Sequence, residues 1–329
     1  MNNNSRAPLE LSIIIVNWNG GDLLTRSVES IVNSGTNTNF EVIIVDNNST
    51  DQSLSLLEAS DIASSLAGKL RIVRNSENLG FGRANNQAFA LSTTPFLLLL
   101  NPDAELFPGA IDVLMETIKT DAKIAACGPR IVNTDGTTQT SVFFNPPRAW
   151  HTFFWQLGLY RLLPGKIRGQ VLLGPHFDHL CKLDVPMLIG AAFLVRREVI
   201  EDIGGFNESF HMYAEDNEWC WRMRQAGWRL VFEPGAVARH HGGRSARQRW
   251  SSDENLRVRL DAEFKFCQLA LSKWNLISNQ LANYCVVSIQ VLVRRVRGIE
   301  APHLALVKRI HKHHLDCIFK SVNGDGPGS

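Results

Sequence analysis

The stretch from Pro95 to Asp103, PFLLLLNPD, decides the fold. Phe96 to Leu100 is an unbroken apolar run, bounded by Pro95 on one side and Asn101-Pro102 on the other. A run this short, with no polar alternation, reads as a strand buried on both faces, as in the middle of a parallel sheet. Pro102 has no backbone donor and ends it, which leaves the Asp103 carboxylate at the sheet's C-terminal edge. Open α/β sheets bind ligands at that edge. Asp103 alone supports two readings: a site carboxylate, or a cap for the next turn or the helix near Pro108.

The neighbouring segments repeat the pattern. Leu11 to Val16 (LSIIIV) is a buried strand, followed by the turn Asn17-Trp18-Asn19-Gly20-Gly21. A helix then starts with Asp22 as its N-cap and carries Leu23, Leu24, Val28, Ile31 and Val32 on one face. Phe40 to Val45 is the next strand and also ends in an acid, Asp46, within DNNSTD; Thr50 or Asp51 caps a helix running to about Leu66. Leu70 to Val73 is a strand, Asn78 to Gly82 a turn, and Arg83 to Leu91 a helix. After the run to Leu100 come a helix from Pro108 to about Thr120 and a strand from Ile124 to Cys127. Strand and helix in alternation with short links predict an α/β fold, a doubly wound, mostly parallel sheet with flanking helices. Right-handed crossovers bring Asp46 and Asp103 to one edge.

Bulk properties narrow the function. The 329 residues suffice for one large domain or a domain with an appendage, and 20% charged with 44% apolar residues is an ordinary globular balance. A formal charge of +2 argues against wholesale nucleic-acid binding. Six scattered cysteines without a CxxC pair favour reduced thiols in a cytoplasmic protein over a disulfide framework or structural zinc. The opening MNNNSRAPLE lacks the apolar core of a signal peptide, so the sequons at Asn47 and Asn48 carry no glycosylation meaning. LGFGRAN, Leu79 to Asn85, is not a dinucleotide fingerprint: it follows the third strand and has Ala84-Asn85 where the last glycine belongs. No GxxxxGK[ST] loop occurs. Amides at that helix start, with Arg83 beside them, make an anion site; an ordinary tight turn is the other reading.

From 141 to 184 the character changes. Phe143, Phe144, Trp150, Phe153, Phe154, Trp155 and Tyr160 are interleaved with Arg148, Arg161, Lys166 and Arg168, and helical spacing puts Trp150, Phe153, Phe154 and Leu157 on one face. A lid, a membrane-surface patch and a helix packed on the domain all fit. His176, His179 and Cys181 lack a fourth ligand and read as loop residues rather than zinc ligands. Pro186 to Arg196 reads as a strand with the small residues Gly190, Ala191 and Ala192 at its centre, which let a ligand approach the backbone. Glu215 and Asp216 open a helix ended by Gly227; they complement its dipole, or one is a general base while the other orders the loop. Trp228 to Phe232 is a strand, and Pro234 to Ser245 (PGAVARHHGGRS) sets two histidines beside glycines, in a position to ligate a metal or phosphate or to be solvated in a loop. Beyond Asp253 the pattern is helical. Leu281 to Val293 is apolar but too short and too polar to span a bilayer, and Arg294, Arg295, Arg297, Lys308, Arg309, Lys312 and Lys320 follow. Docking on an anionic membrane face competes here with a core helix or an oligomer contact. The tail NGDGPGS has a disordered composition.

Taken together, LSIIIVNWNG, EVIIVDNNSTD, ENLGFGRANN, LLLLNPD, GAAFLVRRE, GGFNESFHMYAEDNEWCWR and HHGGRS resemble, in this order from Leu11 to Ser245, the family 2 glycosyltransferases and especially their bacterial rhamnosyltransferase-like branch. The resemblance implies a GT-A fold over 1–250, with a donor-binding part at about 9–132, an acceptor-side part at about 185–250, an aromatic-rich insert at 141–184, and a helical C-terminal extension at 251–329. It implies donor binding by Asn17, Asn19, Asp46, Asn48, Asn78, Gly80, Gly82, Arg83, Asn86, Asn101 and Asp103, with Asp46 on the nucleotide base and Arg83 near the ribose and diphosphate. Gly190 and Ala191 fall on the acceptor side. Asp216 matches the general base, with Glu215 beside it and Glu218 as a minor competitor. Asp103 and His240 match residues that meet a divalent metal, Mg2+ or Mn2+, and the diphosphate. Many relatives have two acids in the metal motif; here the first is Asn101, and NPD is common in the rhamnosyltransferase-like branch.

The implied reaction is a single inverting displacement from a nucleotide-sugar donor, dTDP-L-rhamnose first, onto a glycan or polyprenyl-linked saccharide in cell-surface polysaccharide synthesis. The implied setting is cytoplasmic, peripheral at the inner membrane face, with a homo-oligomer open and no nucleic acid as partner. The alternatives are a UDP-hexose or UDP-galactofuranose transferase of the same fold, a nucleotidyltransferase, for which Asn17-Trp18-Asn19 is a poor triphosphate loop, and a non-catalytic nucleotide-sugar binder.

Overall fold

The computed structural model describes residues 8–143, 146, 149–156, 158–165, 169, 173–174, 177–242 and 251–323. Phe144, Arg148, Leu157, Lys166, Arg168 and His176, Gly243 to Ser245 of HHGGRS, and the tail from Gly324 lie outside the described residues, as does the Trp155 side chain. The chain divides into two compact units, Met1–Phe143 with Asp178–Gln248, and Phe144–Phe177 with Arg249–Ser329.

In the first unit the apolar runs become strands because only a sheet can pair their backbone groups while both faces are covered. They are β1 (Leu11–Asn17), β2 (Phe40–Asp46), β3 (Leu70–Arg74), β4 (Phe96–Leu100), β5 (Ala104–Leu106), β6 (Ile124–Val132), β7 (Leu183–Asp184), β8 (Ala192–Arg196) and β9 (Arg229–His240). The strands form one sheet in the order β3-β2-β1-β4-β8-β6-β9-β5, with β7 also paired to β9. β3, β2, β1 and β4 are mutually parallel, and β6 runs parallel to β9. β8 enters antiparallel between β4 and β6, so the sheet is mixed in its second half. β4 is therefore central and all five of its residues are buried. Register sets Asn17 beside Asp46, two polar ends at one edge.

The helices of this unit are α1 (Asp22–Val32), α2 (Ser53–Glu58), α3 (Asp61–Ser65), α4 (Phe81–Leu91) and α5 (Ala110–Lys119). Four local expectations are corrected. Gly21, at φ 58°, is the N-cap of α1, while Asp22 lies in the first turn and pairs with Arg26 at 2.9 Å. The helix expected up to Leu66 is two short ones, because Ser60 caps anew by accepting from the Ala63 amide; Asp51 instead accepts from Ser53 and from the Gly21 amide. The strand expected from Pro186 begins only at Ala192, and Gly190-Ala191 form a turn before it. His240 is not in a loop: β9 continues to it, because the ladder with β6 jumps from Glu233 to Val237 and so absorbs Pro234 and Gly235 in an irregularity.

The second unit contains α6 (Ala149–Gln156). Two further helices, α7 (Arg197–Ile203) and α8 (Glu215–Gln225), belong to the first unit. The second unit is completed by α9 (Ser252–Ala270), α10 (Lys273–Val296) and α11 (Pro302–Asn323). Ser251 and Glu254 close a capping box on α9. Phe264, Cys267, Leu276 and Ile318 form a small core. The expectation of a short apolar stretch at Leu281 to Val293 is corrected. It lies within the 24-residue α10, about 36 Å long, which by length and composition could cross a membrane, with a mean hydropathy of 1.4 over 18 residues.

Candidate active site

The site is at the C-terminal edge of the parallel strands. Asn17 ends β1 and is fully buried; its amide donates to Asp46 Oδ1 at 2.8 Å, Ser49 Oγ at 3.0 Å and Ser53 Oγ at 2.9 Å. A Cβ on Gly20 would stand 2.5 Å from Asn17 Oδ1 and would displace that side chain from its place. Asp46 is 4% exposed and also accepts from the Ser49 amide and hydroxyl, which commits both its oxygens within the protein. Asn19, at φ 53°, accepts from the Thr50 amide at 2.8 Å, and the exposed Asn48 sits at φ 64°. These residues tie the first two strand ends into one rigid rim.

Asn47, which no sequence pattern singled out, organises the next segment. It donates to Asn78 Oδ1 and the Gly80 carbonyl and accepts from Asn75 and the Leu79 amide. Gly80, at φ 85°, lies so close to the 206–211 loop that a Cβ would meet the His211 carbonyl at 2.7 Å. A Cβ on Gly82 would meet Phe206 at 3.0 Å. The amides of Leu79, Gly80 and Phe81 donate to Asn47, Asn78 and His211 respectively. These three amides are thus engaged in the tight turn that leads into α4. Arg83 is exposed and stands 3.5 Å from Glu208. Asn86 clamps the same loop: it accepts from the Phe206 amide at 2.8 Å and donates to the Phe206 carbonyl at 2.9 Å and to Glu208 at 3.1 Å.

β4 delivers Asn101 and Asp103. Asp103 Oδ1 lies 3.3 Å from His240 Nε2, and Asn101 Nδ2 lies 3.4 Å from the same nitrogen. His240 arrives from the end of β9, and its Nδ1 faces Gln139 Oε1 at 2.9 Å. With Nδ1–H donating to Gln139 Oε1, Nε2 is the ring nitrogen that faces Asp103. Burial works to raise the Asp103 carboxyl, but hydrogen bonding and charge from His240 hold it below its ordinary value. Gln139 escaped the sequence reading because nothing local marks it; it lies 101 residues from its partner.

Glu215 and Asp216 open α8 after two non-glycine residues in the left-handed region, Tyr213 (φ 67°) and Ala214 (φ 64°), a strain of the kind stored at functional sites. Trp219, fully buried one turn on, stacks on Phe89 and contacts Phe206, which fixes the helix start. Asp216 Oδ2 accepts from the Gly190 amide at 3.0 Å and Oδ1 from the Asn217 amide at 2.8 Å. The carbonyl of the following residue, the buried Ala191, accepts from the Asn101 amide at 3.0 Å. One two-residue turn therefore links Asp216 to the NPD segment. Burial raises the Asp216 carboxyl above its usual range, only partly offset by those amides. Glu215 is 8% exposed, its Oε2 has no hydrogen-bond partner, and burial first and the Asp216 charge second push its carboxyl up to about 8. Glu218 does not compete as a base: it is buried and held by Arg222 at 2.8 and 3.0 Å. His179 is buried, near the Ser141 amide and the Phe232 ring, away from any metal-like cluster among the described residues.

The chain is similar to known proteins both in sequence and in fold. The model for glycosyl transferase family 2 matches residues 12–204, more than half of the chain, and that for glycosyl transferase family 21 matches 181–257. An N-acetylglucosaminyl-diphospho-decaprenol L-rhamnosyltransferase of Mycobacterium tuberculosis is 27% identical over 261 residues, covering 71% of this chain and 77% of that one. A low-salt glycan biosynthesis hexosyltransferase of Haloferax volcanii is 30% identical over 222 residues, covering 66% of this chain and 62% of the other. In fold, the chain is similar to the mannosyltransferase PcManGT from Pyrobaculum calidifontis, solved with GDP-Man and Mn2+ (TM-score 0.57, 14% identity, 97% of this chain and 88% of that one). It is similar too to GalNAc-T7 solved with UDP, GalNAc and Mn2+ (TM-score 0.58, 16% identity, 96% and 57%).

Proposed function

The chain belongs to glycosyl transferase family 2 and is a glycosyltransferase of GT-A fold, and on that premise we propose that it inverts configuration at the sugar it transfers, taking it from a nucleotide diphosphate donor, dTDP-L-rhamnose first, to a hydroxyl of a glycan or polyprenyl-linked acceptor. The observation that carries the proposal is the Gly190-Ala191 turn. The Gly190 amide holds the Asp216 carboxylate and the Ala191 carbonyl holds the Asn101 amide, so a base and the diphosphate edge are tied to two consecutive residues. The rhamnosyl donor and the lipid-linked acceptor draw on the activity of the Mycobacterium relative. The Haloferax relative keeps a different hexose as the second reading.

In this reading Asp216 accepts the proton of the acceptor hydroxyl as its oxygen forms the new bond to the anomeric carbon, and the nucleoside diphosphate departs from the opposite face. The raised acidity range of Asp216 makes it a stronger base than an exposed aspartate. Glu215, kept protonated by burial, orders the helix start without adding a second charge. Asp103 Oδ1 and His240 Nε2 fit a divalent cation, since two ligands each about 2.1 Å from one octahedral ion stand about 3 Å apart. Such an ion would neutralise charge on the departing diphosphate. Gln139 acts on His240 by holding its proton at Nδ1. Asp46, Asn17, Asn19, Asn78, Gly80, Gly82 and Asn86 shape the donor rim through contacts within the protein, while Asn48 and Arg83 offer the polar groups exposed along it.

Thermal stabilisation by dTDP, UDP and GDP, each with and without Mn2+, tests this on wild type and Asp103→Ala. A nucleotide at ~100 times its dissociation constant adds about 2.7 kcal/mol. dTDP stabilisation that needs Mn2+ and loses that need in Asp103→Ala supports both donor and metal assignments. A UDP preference removes rhamnose, and no shift with any nucleotide removes the donor site.

A further inference from the structure

α10 carries apolar residues on two opposite faces, and only one of these is covered among the described residues. Asn279, Gln280, Val286 and Val287 face inward, with Asn279 accepting from Thr152 of α6 at 3.1 Å and Gln280 meeting His311 of α11 at 3.0 Å. Half a turn round the helix, Trp274, Leu281, Cys285, Ile289, Leu292 and Val296 follow one another at steps of seven, four, four, three and four residues. That spacing places them in one stripe. Trp274 is 78%, Leu292 61% and Val296 79% exposed, and no charged residue interrupts the stripe. Arg294, Arg295 and Arg297, all exposed, follow at its C-terminal end, Arg295 and Arg297 to either side of the stripe and Arg294 behind it. Between Lys273 and Asn323 eight lysines and arginines face only Glu300 and Asp316, a net +6 in a chain whose total is +2.

We propose that this outer stripe of α10 docks flat on a bilayer containing anionic lipid, its apolar side chains entering the headgroup region and its arginines meeting lipid phosphates. The reading is independent of which sugar the site transfers. Charge selects the occupant. A second copy seated on the same stripe would bring one +6 segment against another, whereas an anionic surface complements both the charge and the apolar face. The inward polar row selects the orientation: crossing the membrane would strip Asn279 and Gln280 from their partners on α6 and α11 and place them in hydrocarbon. α10 therefore lies on the membrane rather than through it.

The test is co-sedimentation of the full chain with vesicles of phosphatidylcholine alone and of phosphatidylcholine with phosphatidylglycerol at three to one. Wild type is expected to pellet with the anionic vesicles and to be released by 0.5 M NaCl. Arg295→Gln with Arg297→Gln should weaken binding about 30-fold, at about 1 kcal/mol or fivefold per charge. Leu292→Glu with Val296→Glu should abolish it while leaving the thermal midpoint unchanged, because both side chains are already exposed. Failure of wild type to bind anionic vesicles, or binding indifferent to both pairs, overturns the proposal. So does a dimer in sedimentation without lipid that the Leu292/Val296 pair dissolves, or retention of the chain in cell membranes through alkaline carbonate washing, which marks a spanning helix.

Discussion

Replacing Glu215 by glutamine isolates the buried carboxyl pair at the start of α8. The folded protein keeps the Glu215 proton up to about pH 8, whereas the unfolded chain releases it near 4.5. Below pH 4.5 both states hold the proton and the stability is fully present. Between 4.5 and 8 only the unfolded chain lets it go, so wild-type stability falls by about 1.4 kcal/mol per pH unit. Above 8 the loss is complete, roughly 5 kcal/mol in all and about 3 kcal/mol at pH 7. The glutamine variant has no proton to lose at this position. Its amide must sit where Oε2 now lacks a partner, which costs about 1–3 kcal/mol, but that offset does not vary with pH. The stability difference between Glu215→Gln and wild type should therefore rise steadily in favour of the variant from pH 5 to 8 and then level off. Urea unfolding at half-unit pH intervals measures it, with the total change equivalent to several degrees in thermal midpoint for a chain of this size. A difference that is flat across pH 5 to 8 would show that Glu215 ionises normally, and the protonated neighbour of Asp216 would be withdrawn.

Asp216→Asn should lower transfer at least 100-fold while nucleotide affinity stays within twofold, measured by turnover and by calorimetric titration; lost nucleotide affinity would place Asp216 in the donor site instead. Gln139→Leu should weaken Mn2+ binding about tenfold and move the His240 proton from Nδ1 to Nε2 in imidazole nitrogen spectra, and Gln139→Glu should restore both. Unchanged spectra in Gln139→Leu would leave Gln139 without a role at His240. Asn86→Ala removes three hydrogen bonds to the 206–208 loop and should cost about 2–3 kcal/mol of stability in urea. Retained stability with lost dTDP binding would make Asn86 a donor contact rather than a loop clamp.

Much of the donor half was legible in the chain itself. LSIIIV, FEVIIV and FLLLL are short apolar runs bounded by turn residues, and that pattern alone specifies buried parallel strands ending in Asn17, Asp46 and Asn101. The motifs at 78–86 and 213–216 were visible too, but their roles were not. Gly80, Gly82 and Asn86 suggest a phosphate cradle in sequence, and in space they pack against residues 205–211, more than 115 positions away.

What the sequence by itself determined follows from interactions within a few residues: strand period, turn glycines, the acids at strand ends and the capping box of α9. Only the tertiary structure decided that β8 enters antiparallel beside β4, that Pro234 is absorbed within β9, and that Asp103 meets His240 and Gln139. Only it decided which apolar face of α10 is covered, since both faces repeat with the same helical period. Local pattern records what each segment must bury or expose. Which distant segment does the burying depends on strand register and on side-chain partners more than a hundred residues apart, and no local period encodes them.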